Sequence, residues 1–421
     1  MRRFALAALL LLLACSSESD AENGLPLADA EHVRGLTFKH APAVVTQTKE
    51  WFAQQVESEL TEEELAEYKT VWGRMGFLPT DFDVRSALRV DSSRVGAFYE
   101  PEDGGRITEF AEHKDDRAIL VHELVHALQD QHFDLQAHDD AAKTTDESFA
   151  VRALVEGDAR VGEIRYRLEA AGRDPLVDAP SMITADEAGS DAEFFFKGGT
   201  VPALLRAYGA FTYTYGAVVV AKAMGLHDKP ARWSTVGSDA LFNGGAPKSS
   251  EGVLRVAFGK EVDPIVDVGL LKMPESLADR WVIRSTDRLG AWLAWILLRE
   301  TGENAFESTL DWDGDQLVVI GDRDASHPHA GVVWTSAWET EARAQTVVDD
   351  LRRLHAAAAE SLVIERRGVV VVFAKGTLPI EDVRTLANAA LYERQDGPRP
   401  AVRSSSTFVR RFARAHAPHA R

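Results

Sequence analysis

Two histidines four residues apart, with a glutamate directly after the first, stand at His122, Glu123 and His126 in the run HELVH. On a helix, positions i and i+4 share a face, so both imidazoles point at one spot. That spacing lets two ring nitrogens bind one zinc ion. Glu123 then sits beside the metal and can take a proton from its water. Zinc brings the pKa of such a water towards neutrality, and the carboxylate completes its activation. The competing reading is a solvated His/Glu helix face. Ile119, Leu120, Val121, Leu124 and Val125 wrap the run in apolar side chains, which an exposed face would not carry.

A catalytic zinc needs a third protein ligand and an open position. Glu156, 30 residues after His126 in RALVEGDAR, is one candidate, and His132, ten after His122, is the other. Glu156 stands among Ala153, Leu154, Val155 and Gly157, where a carboxylate needs a partner. Its bland alternative is a salt bridge to Arg152 or Arg160. If the ALQD run continues the helix, His132 is carried roughly 9 Å beyond His126 along the axis, too far to share an ion. Geometry therefore favours Glu156. Asp158 is a candidate hydrogen-bond partner for a ligand histidine, in a weaker role.

The elements that must position these residues follow from periodicity and punctuation. Residues 115–130 read as the helix carrying HELVH, with Asp115 or Asp116 as its cap. His132 to Asp140 reads as a polar connection, and a second helix runs from about Asp146 to Ala171, stopped by Gly172. Before the first helix, residues 95–110 alternate as a β-hairpin with its turn at 102–105. Residues 36–78 look helical, and 201–225 read as a buried helix. Its Tyr208, Phe211, Tyr213 and Tyr215 fit core packing better than the alternative of lining the cleft and donating to an oxyanion. Residues 228–250 are a loop rich in Gly, Pro and Ser. His227, His327 and His329 read as loop histidines. From 277 the order strand, strand, helix, strand, helix suggests a separate small sheet with helices on one face.

The HELVH helix followed by a glutamate on a later helix resembles the gluzincin zinc peptidases. The metzincin pattern HExxHxxGxxH fits less well, because Gln129 stands where that family has the glycine that turns the chain back. HELVHALQDQHFDL with RALVEGDAR is also similar to bacterial lipoproteins that pair HExxH-ALQDQ with ALxEGDA, over about residues 115–165. These resemblances imply an α+β fold: a mainly helical zincin-like core, a hairpin before the active-site helix, and a smaller C-terminal α+β unit. They imply His122, His126 and Glu156 on zinc, Glu123 as general base, and a hairpin whose edge strand binds extended peptide, with a plain structural hairpin as the alternative.

The N-terminus adds a location. Met1-Arg2-Arg3, the apolar run Phe4 to Leu13 and then Ala14-Cys15 resemble a lipoprotein signal, too short to span a bilayer. Cys15 is the only cysteine of 421 residues. As a lipidated first residue it avoids being a free thiol in an oxidising compartment. The formal net charge is −19, and removing two arginines with the signal takes it to −21. Such acidity argues against nucleic acid as a partner. The expected organisation is a signal at 1–14, a lipid-anchored polar tether at 15–35, a zinc peptidase domain at 36–276, an α+β domain at 277–397 and a basic tail at 398–421. The expected activity is hydrolysis of a peptide or protein substrate in the cell envelope, with the membrane reached through the anchor. Two rivals remain: a non-catalytic envelope protein keeping a peptidase-like zinc core, and a zinc hydrolase acting on another bond.

Overall fold

The computed structural model describes residues 24–59, 61–79, 81–86, 95–101, 104–114, 116–196, 202, 204, 210–299, 310–324, 326–327 and 329–392. Cys15, Tyr208 and the basic tail lie outside the described residues. The fold is α+β, with helices dominating the first two thirds and an antiparallel sheet the last.

The first part opens on α1 (Leu27–Arg34). These residues were expected in the tether, but Ala30 and Val33 are buried against the HELVH helix and give α1 a docked face. The helical expectation for 36–78 fails at its start. Val44, Val45 and Thr46 are β-branched and form strand β1 (Ala43–Gln47). Then come α2 (Lys49–Glu59) and α3 (Glu62–Glu67), which continues through a π-helical turn at Tyr68–Trp72. The expected hairpin is present as β2 (Ala97–Glu100) and β3 (Arg106–Phe110), paired antiparallel from Ala97↔Glu109 to Glu100↔Arg106. β1 joins β3 in parallel, so the order is β1-β3-β2 and β2 is an edge.

Helix α4 (Arg117–Phe133) carries HELVH, and the Asp116 carboxylate caps it by accepting from the Ala118 and Ile119 amides. The connection after it is itself helical, α5 (Leu135–Ala141), entered through Asp134 at φ 56°. Helix α6 (Thr145–Ala170) returns across α4. Val121, Leu124, Val125 and Leu128 fill the space between α1, β3 and α6. α4 is thus buried nearly all round from Ala118 to Gln129, and His122, His126 and Gln129 face α6. After α7 (Pro175–Met182) and α8 (Ala185–Phe196), a π-helical turn at Phe211–Tyr215 leads into α9 (Gly216–Ala223). The expected loop at 228–250 holds α10 (Val236–Ala240) and a further π-helical turn, and α11 (Ser250–Ala257) follows.

The last third is a five-stranded antiparallel sheet in the order β4-β5-β6-β8-β7. Its strands are β4 (Trp281–Asp287), β5 (Trp312–Asp322), β6 (Gly331–Trp338), β7 (Ser361–Arg367) and β8 (Val370–Gly376). Helices cover both faces, not one as expected. α12 (Gly290–Arg299) and α13 (Glu341–Leu354) pack with Leu317, Trp334 and Phe373, whereas α14 (Ile380–Tyr392) packs with Val318, Val333 and Val372. Neighbouring residues point to opposite faces, so both covers are needed. This sheet is not a separate body. One continuous core joins Trp292, Trp334 and Phe373 to Phe149 of α6 and Phe211. Among the described residues no helix is long and apolar enough to cross a membrane.

Candidate metal centre

The crossing of α4 and α6 brings three donor atoms together. His122 Nε2 and His126 Nε2 are 3.1 Å apart. Glu156 Oε2 lies 3.4 Å from the first and 3.3 Å from the second. Donors bound at ordinary zinc distances in a tetrahedron sit about 3.3–3.5 Å from one another. The triangle therefore already has nearly the size such an ion requires, and its donors are a matched N, N, O set. His132 is not part of it. α4 continues past Gln129, and the His132 Nε2–H donates to the Thr37 carbonyl at 2.8 Å.

Each imidazole is oriented from behind. The Glu163 carboxylate, two turns along α6 from Glu156, lies 3.4 Å from His122 Nδ1. Glu163 is held by Arg160 and Arg167, both at 2.8 Å. His126 Nδ1 lies 2.9 Å from Gln129 Oε1. Gln129 Nε2 donates to the Val155 carbonyl and to Asp158. That fixes the amide, so its oxygen must face His126, and Nδ1 carries the proton. Both Nε2 lone pairs are thereby directed at the triangle. Asp158, expected to bond a ligand histidine directly, acts one step back. It accepts from Gln129, from Ser238 and from Arg34 Nε at 2.6 Å.

The electrostatics favour a cation. Burial disfavours charge on His122, but Glu156 and Glu163 beside it outweigh that and push its pKa up to about 10. Burial likewise opposes charging His126, and Glu156 overrides it, raising its pKa. Glu156 would be raised by burial, yet the two imidazoles hold it well below the ordinary carboxylate range. Burial raises Glu123 above that range, against the pull of His122 and His126. Three carboxylates around two imidazoles form a site that gathers positive charge.

The triangle opens on a cavity of about 120 Å³. Glu123, His126, Glu156 and Tyr213 form its floor, Phe98, Tyr99 and Pro101 one wall, and residues of α5 and α6 the other. The Tyr99 hydroxyl donates to Asp130 at 2.8 Å, tying the edge strand β2 to α4. Tyr213 stacks on His122 with ring centroids 5.7 Å apart. Burial pushes its pKa well above the usual tyrosine value, and Glu156 and Glu123 add to the effect. The expectation that the tyrosine run is core holds for Phe211 and Tyr215, which are fully buried. Tyr213 is buried too, and it also lines the cavity beside His122.

A family model described as a domain of unknown function (DUF8575) matches residues 280–393. No curated protein and no solved structure matches the chain. The matched stretch is the C-terminal sheet with its helices, and every residue of the metal centre lies outside it.

Glu163 and Gln129 are the contacts of the two histidines that the sequence reading did not place. Glu163 carried a signal: it stands seven residues after Glu156 and so on the same helical face. Gln129 was noticed only as a break in the metzincin pattern. Its role depends on Asp158 from another helix.

Proposed function

We propose that this protein is a zinc-dependent hydrolase of peptide bonds with a zincin-like core. The observation that carries the reading is the meeting of His122, His126 and Glu156 at 3.1–3.4 Å, with Glu123 beside them on the cavity floor. His122, His126 and Glu156 hold the ion. Zinc bound there supplies Lewis-acid polarisation and makes water nucleophilic at neutral pH. Glu123 would take a proton from the attacking water and return it to the leaving amine. The Tyr213 hydroxyl, at the cavity floor, donates to the oxygen on which negative charge develops. Edge strand β2 offers backbone groups to an extended substrate. The lipobox-like segment supports a lipid anchor at Cys15 and a place in the cell envelope.

Elemental analysis of the purified full chain should give about one zinc per molecule. Glu123→Gln should keep the metal and lose at least about a hundredfold in peptide hydrolysis. A chain that carries no transition metal after gentle purification would falsify the reading. Metal retained by a wild type that cleaves no peptide would favour the non-catalytic binding role.

A further inference from the structure

The cavity wall carries a charge that neither the metal nor the general base uses. Arg152 lies on α6 four residues before Glu156, on the same face, and its side chain is 15 % exposed. Among the described lining residues it is the one lysine or arginine. Asp139 of α5 stands 3.8 Å away and lines the same cavity. Val151, Val155 and Leu135 add apolar surface to that wall, and Phe98 to the opposite one.

We propose that Arg152 receives the free C-terminal carboxylate of the substrate, so that the site removes residues from peptide C-termini; this rests on the hydrolase reading above. Residues four apart on a helix hold their side-chain bases about 5–6 Å apart. In an extended chain a carboxylate one residue beyond a scissile carbonyl lies about 3.3–3.6 Å further along. A scissile carbonyl at the metal triangle would set the terminal carboxylate against the wall that carries Arg152. Leu135, Val151 and Val155 beside Arg152 offer apolar surface to the side chain of a terminal residue. The planar guanidinium is the side chain that meets a carboxylate bidentately. A buried-side cation there also offsets the repulsion that Glu123, Glu156 and Asp139 would exert on an incoming anion.

The test compares N-acetylated peptides ending in phenylalanine or leucine, as free acids and as C-terminal amides, on the zinc-loaded full chain. Wild type should cleave the acids with kcat/KM about tenfold or more above the amides. Arg152→Gln should erase that preference through KM, with zinc content unchanged, and Arg152→Lys should restore part of it. Equal cleavage of acids and amides by wild type overturns the proposal and leaves the hydrolase reading standing. So does a preference that survives in Arg152→Gln. If neither form is cleaved, the hydrolase reading fails, and calorimetry decides the anchor separately. N-acetylphenylalanine should then bind zinc-loaded Glu123→Gln more tightly than its amide, and lose that advantage when Arg152→Gln is added. Equal binding, or an advantage indifferent to Arg152, overturns it.

Discussion

Behind the two ligand imidazoles stand acceptors of different kinds, a carboxylate at His122 and an amide at His126. The amide works only because Asp158 and the Val155 carbonyl hold its nitrogen. Gln129→Leu would leave His126 Nδ1 and Asp158 each short of a buried partner. Zinc affinity should fall about ten- to a hundredfold in a chelator competition, the usual weight of such supporting groups. Glu156→Ala should lower affinity further, whereas His132→Ala should leave it unchanged, since its ring only reaches the Thr37 carbonyl. A loss on His132→Ala with Glu156→Ala silent would move the ion to the metzincin arrangement. Tyr213→Phe should keep zinc and lower kcat by about a hundredfold, as expected for one oxyanion donor. The three residues of the candidate triangle were legible in the sequence, because two lie on one helical turn and the third is a carboxylate in an apolar run. The groups behind them were less so. Gln129 and Asp158 are ordinary polar residues until α4 and α6 cross.

At the scale of elements, the site depends on how closely α6 and α9 approach. A Cβ built on Gly157 would overlap the backbone carbonyl of Gly216, and one on Gly216 would overlap that of Ala153. The glycine next to Glu156 is therefore needed for packing. It lets the turn bearing Tyr213 come down onto His122. Gly157→Ala must push the helices apart, and because backbone meets the new atom, no side chain can swing away. Such overpacking costs about 1–3 kcal/mol. A thermal or urea denaturation curve should show that loss, with zinc affinity reduced as well. An unchanged midpoint would mean that the helices have room which the crossing does not show. Periodicity revealed α4, α6 and the β2–β3 hairpin because each carries its own pattern. β1 was missed because five residues between helices offer too short an alternation to register. The helical turns within 228–250 were hidden by their glycines, including Gly244 at φ 103°.

Across the whole molecule, the C-terminal sheet is built into the frame that starts α6. The Thr145 amide and hydroxyl bond Asp287, Asp146 accepts from Ser250 and pairs with Arg288, and Arg288 also reaches Glu147. Sequence alone suggested a separate unit because its strand-rich pattern differs from the helices before it. The shared core depends on which faces of α12 and the sheet meet α6, and that is not written in any one segment. A second joint is pH-sensitive. His355, 7 % exposed, donates from Nε2 to the Met75 carbonyl, and Lys375 lies 3.4 Å from its Nδ1. Arg74, Glu360 and the Phe373 ring complete the surroundings. Burial and then Lys375 lower the His355 pKa to about 4. A depressed histidine contributes stability above its unfolded pKa of about 6.5 and loses it as pH falls towards 4. Relative to His355→Gln, wild type should lose roughly 2–4 kcal/mol over that window. The difference is the quantity to read, because Glu67, Glu251 and Asp315, all raised to about 7 mainly by burial, act in the opposite direction. A pH-independent difference would remove His355 from this joint. At the other end of the chain, Cys15→Ser should release the protein from membranes into the soluble fraction. Retention of Cys15→Ser in the membrane pellet would rule out the anchor. The metal centre itself is tested most directly by anomalous X-ray scattering at the zinc edge, from crystals of the protein purified without chelator. The expected result is one peak about 2.0–2.2 Å from His122 Nε2, His126 Nε2 and a Glu156 carboxylate oxygen. No peak at that triangle, or a zinc held by His132, would contradict it.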